Sequence, residues 1–424
     1  STGNGPGAPD SSTSDVVKAD SAAAAATSPD TPPAPPPGPR IINLAGKTVL
    51  PGLISDHSHL GLVNGTTASG KNVTQANIIR QLKQYAAYGV TSVTSLGLNL
   101  KPFYQLRPLA HRGKIQVADM FGADRGFGSP DSAPPAAMGI LDTQVYRPAT
   151  PDEARSEVRE TALRHPDLVK IWVDDMHHTF AKKMNPEVYK AIIDEAHANG
   201  LRVAAHVYYL EDAKQLVSDG VDILAHGVRD QPVDPDFIQS MKNHGSWYIP
   251  TLELDESFYV YAESPQWTQD AFFRRSLQPA LAKQLDDAAW RQKILADSKT
   301  LAVEKEALAT NMKNIKTLFD AGVKIGFGTD SGATPLRIAG FAEHRELKLL
   351  TEAGLTPLQA IQTATKNAAA LLHRDDRGVI AVGKLADLLI VDGDPSRNIA
   401  DLDNIQGVWR RGKQIAGPIN KKHP

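Results

Sequence analysis

From residue 50 onward, short runs of branched apolar residues alternate with longer stretches whose apolar positions recur at helical spacing. The runs that predict strands are Leu53 to His57, Val90 to Leu96, Ile115 to Met120, Leu168 to Val173, Arg202 to His206, Val221 to His226, Trp247 to Leu252 and Val323 to Asp330. Between most of them lie amphipathic segments such as Pro186 to Asn199, which puts Ile192, Ile193 and Ala196 on one side. Several of these stop at glycine, as in Tyr-Gly-Val and Asn-Gly-Leu. Strands in this number, each followed by a helical crossover, predict an α/β fold: a (β/α)8 TIM-like barrel over residues 53–372. An open doubly wound sheet would need a glycine-rich phosphate loop after its first strand. The sequence has none there.

Three segments depart from a minimal barrel. A long, mostly helical insertion between the seventh and eighth strands carries Phe258, Tyr259, Tyr261, Trp267, Phe272, Phe273 and Trp290. These aromatics would wall an apolar pocket or simply build core. Residues 378–417 alternate in the manner of strands and turns, and Ile41 to Leu50 reads as a further strand beside them. A small β-sandwich-like domain is therefore expected from residues 41–52 and 373–424. Residues 1–40 are rich in Ser, Thr, Ala, Gly and Pro, too poor in apolar content to offset their ordering entropy, and are expected to be disordered.

Composition narrows the function classes. Hydrophobic residues make up 41% and charged residues 22% of the 424, with a net charge of −2 from 46 basic and 48 acidic side chains. That balance gives no footprint for nucleic acid. No apolar run approaches the ~20 residues of a membrane span. The chain has no cysteine, so any metal must be held by His, Asp, Glu or a group made from Lys. It starts at Ser1 rather than Met. Loss of a secretory signal would fit, so a periplasmic or secreted location is favoured over the cytoplasm.

The candidate chemistry sits at strand ends, where barrel enzymes place it. His57 and His59, at i and i+2 on one strand, can face the same way and grip one ion. His206 and His226 each close a strand of their own. Alone, each would read as a satisfied core histidine; together they point to metal ligation. Lys170 lies among Leu168, Val169, Ile171 and Trp172. A buried amine there suits either a Schiff base or a carbamate formed with carbon dioxide, which could bridge two metals. Asp330 could cap a turn, since Ser331 and Gly332 follow. Facing four imidazoles, it would rather ligate metal and accept the proton of attacking water. Tyr208, two residues beyond His206, could polarise a carbonyl oxygen. His177, His178 and His344 are further candidates for touching substrate, as are Asp174 and Asp175.

In this order the motifs resemble the amidohydrolase superfamily, in the subgroup of imidazolonepropionase-like enzymes, Xaa-Pro dipeptidases and ochratoxin-hydrolysing amidohydrolases. They are Thr-Val-Leu-Pro-Gly-Leu-Ile-Ser-Asp-His-Ser-His-Leu, Val-Lys-Ile-Trp-Val-Asp-Asp, Gly-Thr-Asp-Ser-Gly and Gly-Lys-Leu-Ala-Asp-Leu-Leu-Ile-Val-Asp-Gly-Asp-Pro. The resemblance spans about residues 41–417. It implies two divalent ions, zinc by preference: one on His57 and His59, the other on His206 and His226, bridged by carboxylated Lys170. Asp330 would bind the first ion and serve as base. Members usually have several strands before the first barrel strand, where this chain has its Pro/Ala-rich segment.

The expected activity is metal-dependent hydrolysis of an amide in a peptide, an N-acyl amino acid or an ochratoxin-like compound. A cyclic amide or lactone hydrolase with the same centre is the first alternative. A Schiff-base lyase using Lys170 and a noncatalytic scaffold are the others. The partner is a small-molecule substrate, and a homo-oligomer is expected.

Overall fold

The computed structural model describes residues 41–130, 132–135, 139–176, 180 and 182–418. Residues 44–424 make one compact unit; of the other, 1–43, only residues 41–43 are described, and they carry no regular element. The strand expected to start at Ile41 starts instead at Lys47, and Ile41 is 90% exposed. An apolar side chain without a partner strand has nothing to bury against.

A strand lies in each of the eight predicted runs, most of them shorter than expected, though the first extends to Ser58 and the third is shifted from Ile115–Met120 to Asp119–Gly122. Leu53–Ser58, Val90–Ser95 and Asp119–Gly122 form one parallel sheet. Val169–Trp172, Val203–His206, Ile223–Ala225, Trp247–Ile249 and Lys324–Ile325 form a second parallel sheet in chain order. Isolated parallel bridges join Ala123 to Leu168 and Ser58 to Ser331. The expected barrel is thus seen as two parallel sheets touching at both margins, not as one closed ring of ladders. The last strand shows why. Gly326 and Gly328 interrupt it, and a Cβ at Gly328 would lie 2.5 Å from His57 Cβ. The run still bonds to the first strand, with Asp56 N donating to Phe327 O at 2.6 Å and Thr329 N to His57 O at 3.1 Å.

Helices follow the strands and are capped where the sequence suggests. Thr74 accepts from Asn77 N to start Gln75–Ala87, and Asn185 accepts from Glu187 N to start Pro186–Ala198. The predicted face of the latter, Ile192, Ile193 and Ala196, is fully buried. Ile54, Phe121, Leu168, Ala204, Ile223 and Ile249, on or beside six of the parallel strands, form a core cluster with Ala368 and Leu371. The insertion is helical, and Tyr261, Phe273 and Phe341 pack ring to ring at 5.5 and 4.7 Å. Most of its aromatics therefore build core.

Lys47–Pro51 pairs antiparallel with Leu388–Asp392, followed by Ile405–Arg410 and Lys413–Ala416. This is a single four-stranded sheet rather than a sandwich. It belongs to the same compact unit as the parallel strands.

Candidate metal centre

The end of Leu53–Ser58 delivers His57 and, one residue past it, His59. The ends of Val203–His206 and Ile223–Ala225 deliver His206 and His226. The rings form a chain: His59 to His57 at 5.9 Å, His57 to His226 at 4.5 Å and His226 to His206 at 4.4 Å between centroids. Asp330 Oδ1 lies 3.2 Å from His57 Nε2 and 3.0 Å from His59 Nε2. One ligand atom each from His57, His226 and Asp330 falls within 4.8 Å of the others. These three form a group that could hold one metal ion. His226 Nδ1 meets Thr251 Oγ1 at 2.9 Å, which leaves Nε2 for ligation.

Lys170 is fully buried, and its amine has no hydrogen-bond partner among the described residues. Burial pulls it from 10.5 down to about 7, against the pull of Asp330 and Asp174. Burial, and then the charge of Lys170, likewise lowers His57 to about 3, so this imidazole is neutral at ordinary pH. Burial lowers His226 too, well below its ordinary value, with His206 adding to the effect. Burial would raise Asp330, but Arg337, His57 and His59 outweigh it and hold the carboxylate well below its usual range. Among the described residues, both nitrogens of His57 and Nδ1 of His59 lack a hydrogen bond, as does Lys170. Buried polar atoms left this way need a partner. Imidazoles, a carboxylate and a neutral amine are the donor set of a hard-to-borderline divalent ion.

All six expected ligands are therefore in one buried neighbourhood. Tyr208 is also buried; Arg229 lies 4.8 Å over its ring, and burial raises its phenol, which stays protonated. His344 is engaged elsewhere: Nδ1 meets Asp403 Oδ1 at 3.0 Å and Nε2 meets the Tyr88 carbonyl at 2.7 Å. A substrate contact from this ring would require both bonds to break. His177 and His178 lie outside the described residues. Asp174 is closer to the centre than its sequence position suggested, with Oδ2 3.1 Å from His206 Nε2. Burial would raise its carboxyl, but His206 outweighs this and holds it at about 2. Tyr209 donates to Asp175 Oδ1 at 2.8 Å, so Asp175 is tied to the next strand's loop.

Sequence reasoning missed Arg337, which pairs with Asp330 Oδ2. It also missed Glu343, whose Oε1 accepts from Ser55 at 3.1 Å, Thr329 at 2.8 Å and Ser331 at 2.7 Å. The one available signal was a charge inside an otherwise uncharged stretch, Ser-Gly-Ala-Thr-Pro-Leu-Arg-Ile-Ala-Gly-Phe.

The sequence model of the amidohydrolase family matches residues 48–415. The chain belongs to that family. It is a hydrolase by that membership. An uncharacterised protein of Mycobacterium tuberculosis is 27% identical over 88% of this chain and 86% of its own. The ochratoxinase of Aspergillus niger is 26% identical over 63% of this chain and 50% of its own length. A Xaa-Pro dipeptidase crystal structure superposes with a TM-score of 0.66 at 23% identity, covering 87% of each chain. At that identity the superposition establishes the shared fold.

Proposed function

We propose that this amidohydrolase cleaves an amide bond in a small molecule, using two divalent ions, zinc by preference. His57, His59 and Asp330 would hold one ion and His206 and His226 the other, with Lys170 between them as its carbamate. The observation that carries this reading is the Lys170 amine: fully buried, without a hydrogen-bond partner among the described residues, and within electrostatic reach of His57, His226, Asp330 and Asp174. A neutral amine combines with carbon dioxide, and burial is what makes the neutral form of this one available near pH 7. The two parallel sheets are read as one (β/α)8 barrel spanning residues 53–372, with 41–52 and 373–424 as the appended β domain.

Divalent ions bound there supply Lewis acidity to the substrate carbonyl and acidify the attacking water. The remaining work falls to the chain. Asp330, kept ionised by Arg337, accepts the proton of that water. Because its proton affinity is low, it does not retain the proton but passes it to the departing nitrogen. Tyr208, whose phenol stays protonated, donates to the carbonyl oxygen as negative charge develops there.

Metal analysis and rescue test the reading together. The purified chain should carry two ions, and Lys170→Ala should lose them along with amide hydrolysis. Acetate or formate should restore part of both by supplying the missing carboxylate. An unmodified amine in the metal-loaded protein, seen by diffraction, would sink the carbamate.

A further inference from the structure

Thr251 stands where a threonine ordinarily caps its own helix, and it does not do so. It follows the strand Trp247–Ile249 by two residues and immediately precedes the short helix Leu252–Glu256. A threonine in that place usually turns its hydroxyl onto a backbone N–H of the first turn. Thr251 makes no such bond, and its Oγ1 lies instead 2.9 Å from Nδ1 of His226. Both residues are buried. Burial holds His226 well below its ordinary value, so the ring carries a single proton. Which nitrogen keeps that proton is set by what faces the ring.

The backbone that aims this hydroxyl is an uncommon one. Thr251 has φ 49° and ψ 52°, left-handed values that a β-branched residue rarely adopts. Such a conformation persists only where the surroundings impose it. Here they do so on both sides. Before it, the Pro250 carbonyl accepts from Gly227 N at 3.1 Å and from Asn311 Nδ2 at 2.9 Å. After it, Leu252 N and Glu253 N donate to the two oxygens of Glu346 at 2.9 and 2.7 Å. Glu346 is fully buried on the helix Phe341–Glu352, 94 residues beyond Leu252. The cap that Thr251 has given up is thus supplied by a carboxylate from another helix. A helix of five residues gains little from it, and burying a carboxylate is costly. What Glu346 fixes is the turn, and with it the direction of the Thr251 hydroxyl.

We propose that Glu346 is a positioning residue for the metal centre, acting through Thr251. By capping Leu252 and Glu253 it locks Thr251 in the left-handed turn. Thr251 Oγ1 then accepts from Nδ1–H of His226, and the ring is held in the tautomer that offers Nε2 to an ion. Partners of this kind orient a ligand and raise its basicity. This inference rests on the reading of His226 as a metal ligand.

The test compares wild type with Thr251→Val, Thr251→Ser and Glu346→Gln. Valine keeps the branched shape and removes the oxygen, while serine keeps the oxygen. Glutamine at 346 sets an amide nitrogen against one of the two backbone donors. The first readout needs neither metal nor substrate. Nitrogen-15 NMR of the metal-free protein reports which nitrogen of His226 is protonated, its signals assigned by their loss in His226→Asn. Wild type and Thr251→Ser should show the Nδ1–H tautomer alone. Thr251→Val and Glu346→Gln should show the Nε2–H form or a mixture. The second readout is zinc affinity against a competing chelator. It should weaken about 10–100-fold at one site in Thr251→Val and Glu346→Gln, and Thr251→Ser should restore it. A lowered melting temperature in Glu346→Gln with tautomer and zinc affinity intact overturns the proposal. So does a wild-type ring protonated on Nε2, or a change confined to Thr251→Val. Should the amide variant not fold, Glu346→Asp, which keeps the charge and shortens its reach, repeats the test. If wild type binds no zinc, the reading of the metal centre fails, and the tautomers alone decide the positioning.

Discussion

Asp330 combines a demanding chemical position with a demanding backbone one. Its φ of 59° is left-handed, a conformation that costs a residue with a Cβ about 1–2 kcal/mol. The surroundings impose it: Asp330 N donates to His57 O at 3.0 Å while the side chain turns toward His57, His59 and Arg337. Asp330→Asn keeps that shape and removes the proton acceptor. Turnover should fall about 10²–10⁴-fold, as expected for losing acid–base catalysis, while the fold survives the loss of the Arg337 pair. Near-normal turnover would move the base elsewhere. Lys170 gives a second prediction, on stability. Its folded value of about 7 lies below the ordinary 10.5, so between those pH values the unfolded chain holds a proton that the folded chain has released. Stability therefore rises with pH across that window. In metal-free, carbonate-free buffer, Lys170→Met should be more stable than wild type near pH 7, and the gap should narrow toward pH 10.5. A gap that stays constant would show that the amine is not depressed. The histidines, Lys170 and Asp330 were legible in sequence because a polar residue ending an apolar strand is conspicuous. Arg337 and Thr251 were not, since nothing in a loop's composition says which side chain folds back.

Among the elements, the helix Phe341–Glu352 does the most to define the site without entering it. Glu343 gathers the hydroxyls of Ser55, Thr329 and Ser331 and also accepts from Gly340 N at 2.8 Å. Ser331 Oγ is in turn 2.6 Å from Tyr85 OH. One carboxylate thus ties the first strand to the glycine-interrupted run carrying Asp330, where regular ladder bonds are sparse. Glu343→Gln puts a donor where at least one of these donors expects an acceptor. It should weaken metal affinity about 10–100-fold, the usual effect of disturbing a partner of the ligands, and lower kcat more than KM. A lowered melting temperature with metal affinity intact would make Glu343 a plain structural residue. The sequence offered only His344 from this helix, as a candidate for touching substrate, and nothing of the task of Glu343. Element order was legible from alternation alone. The strand ends were not, because the last strand's glycines break the ladder and Ile41 found no neighbour to pair with.

For the molecule as a whole, the antiparallel sheet is fastened to the parallel strands by buried charge. Arg410, on Ile405–Arg410, reaches Asp119 Oδ2 at 3.2 Å and donates to Val117 O at 3.1 Å. Arg377 meets the same Asp119 oxygen at 3.0 Å. Asp119 is held at a low proton affinity: burial would raise it, but His111, Arg410 and Arg377 together outweigh that. Breaking a buried pair by removing one partner typically costs about 3–5 kcal/mol. Arg410→Ala should therefore lower the unfolding free energy by a cost of that order, while metal content at low temperature is retained. Unchanged denaturant midpoints would show that Arg377 alone suffices. The sheet has a further consequence, in time. Lys47 and its partner Asp392 are 345 residues apart. At about 5–20 residues per second, the ribosome needs roughly 20–70 s to deliver the second after the first. Throughout that interval the edge of Lys47–Pro51 faces the cell with its backbone unpaired, so the nascent chain is a client for chaperones long before it is an enzyme.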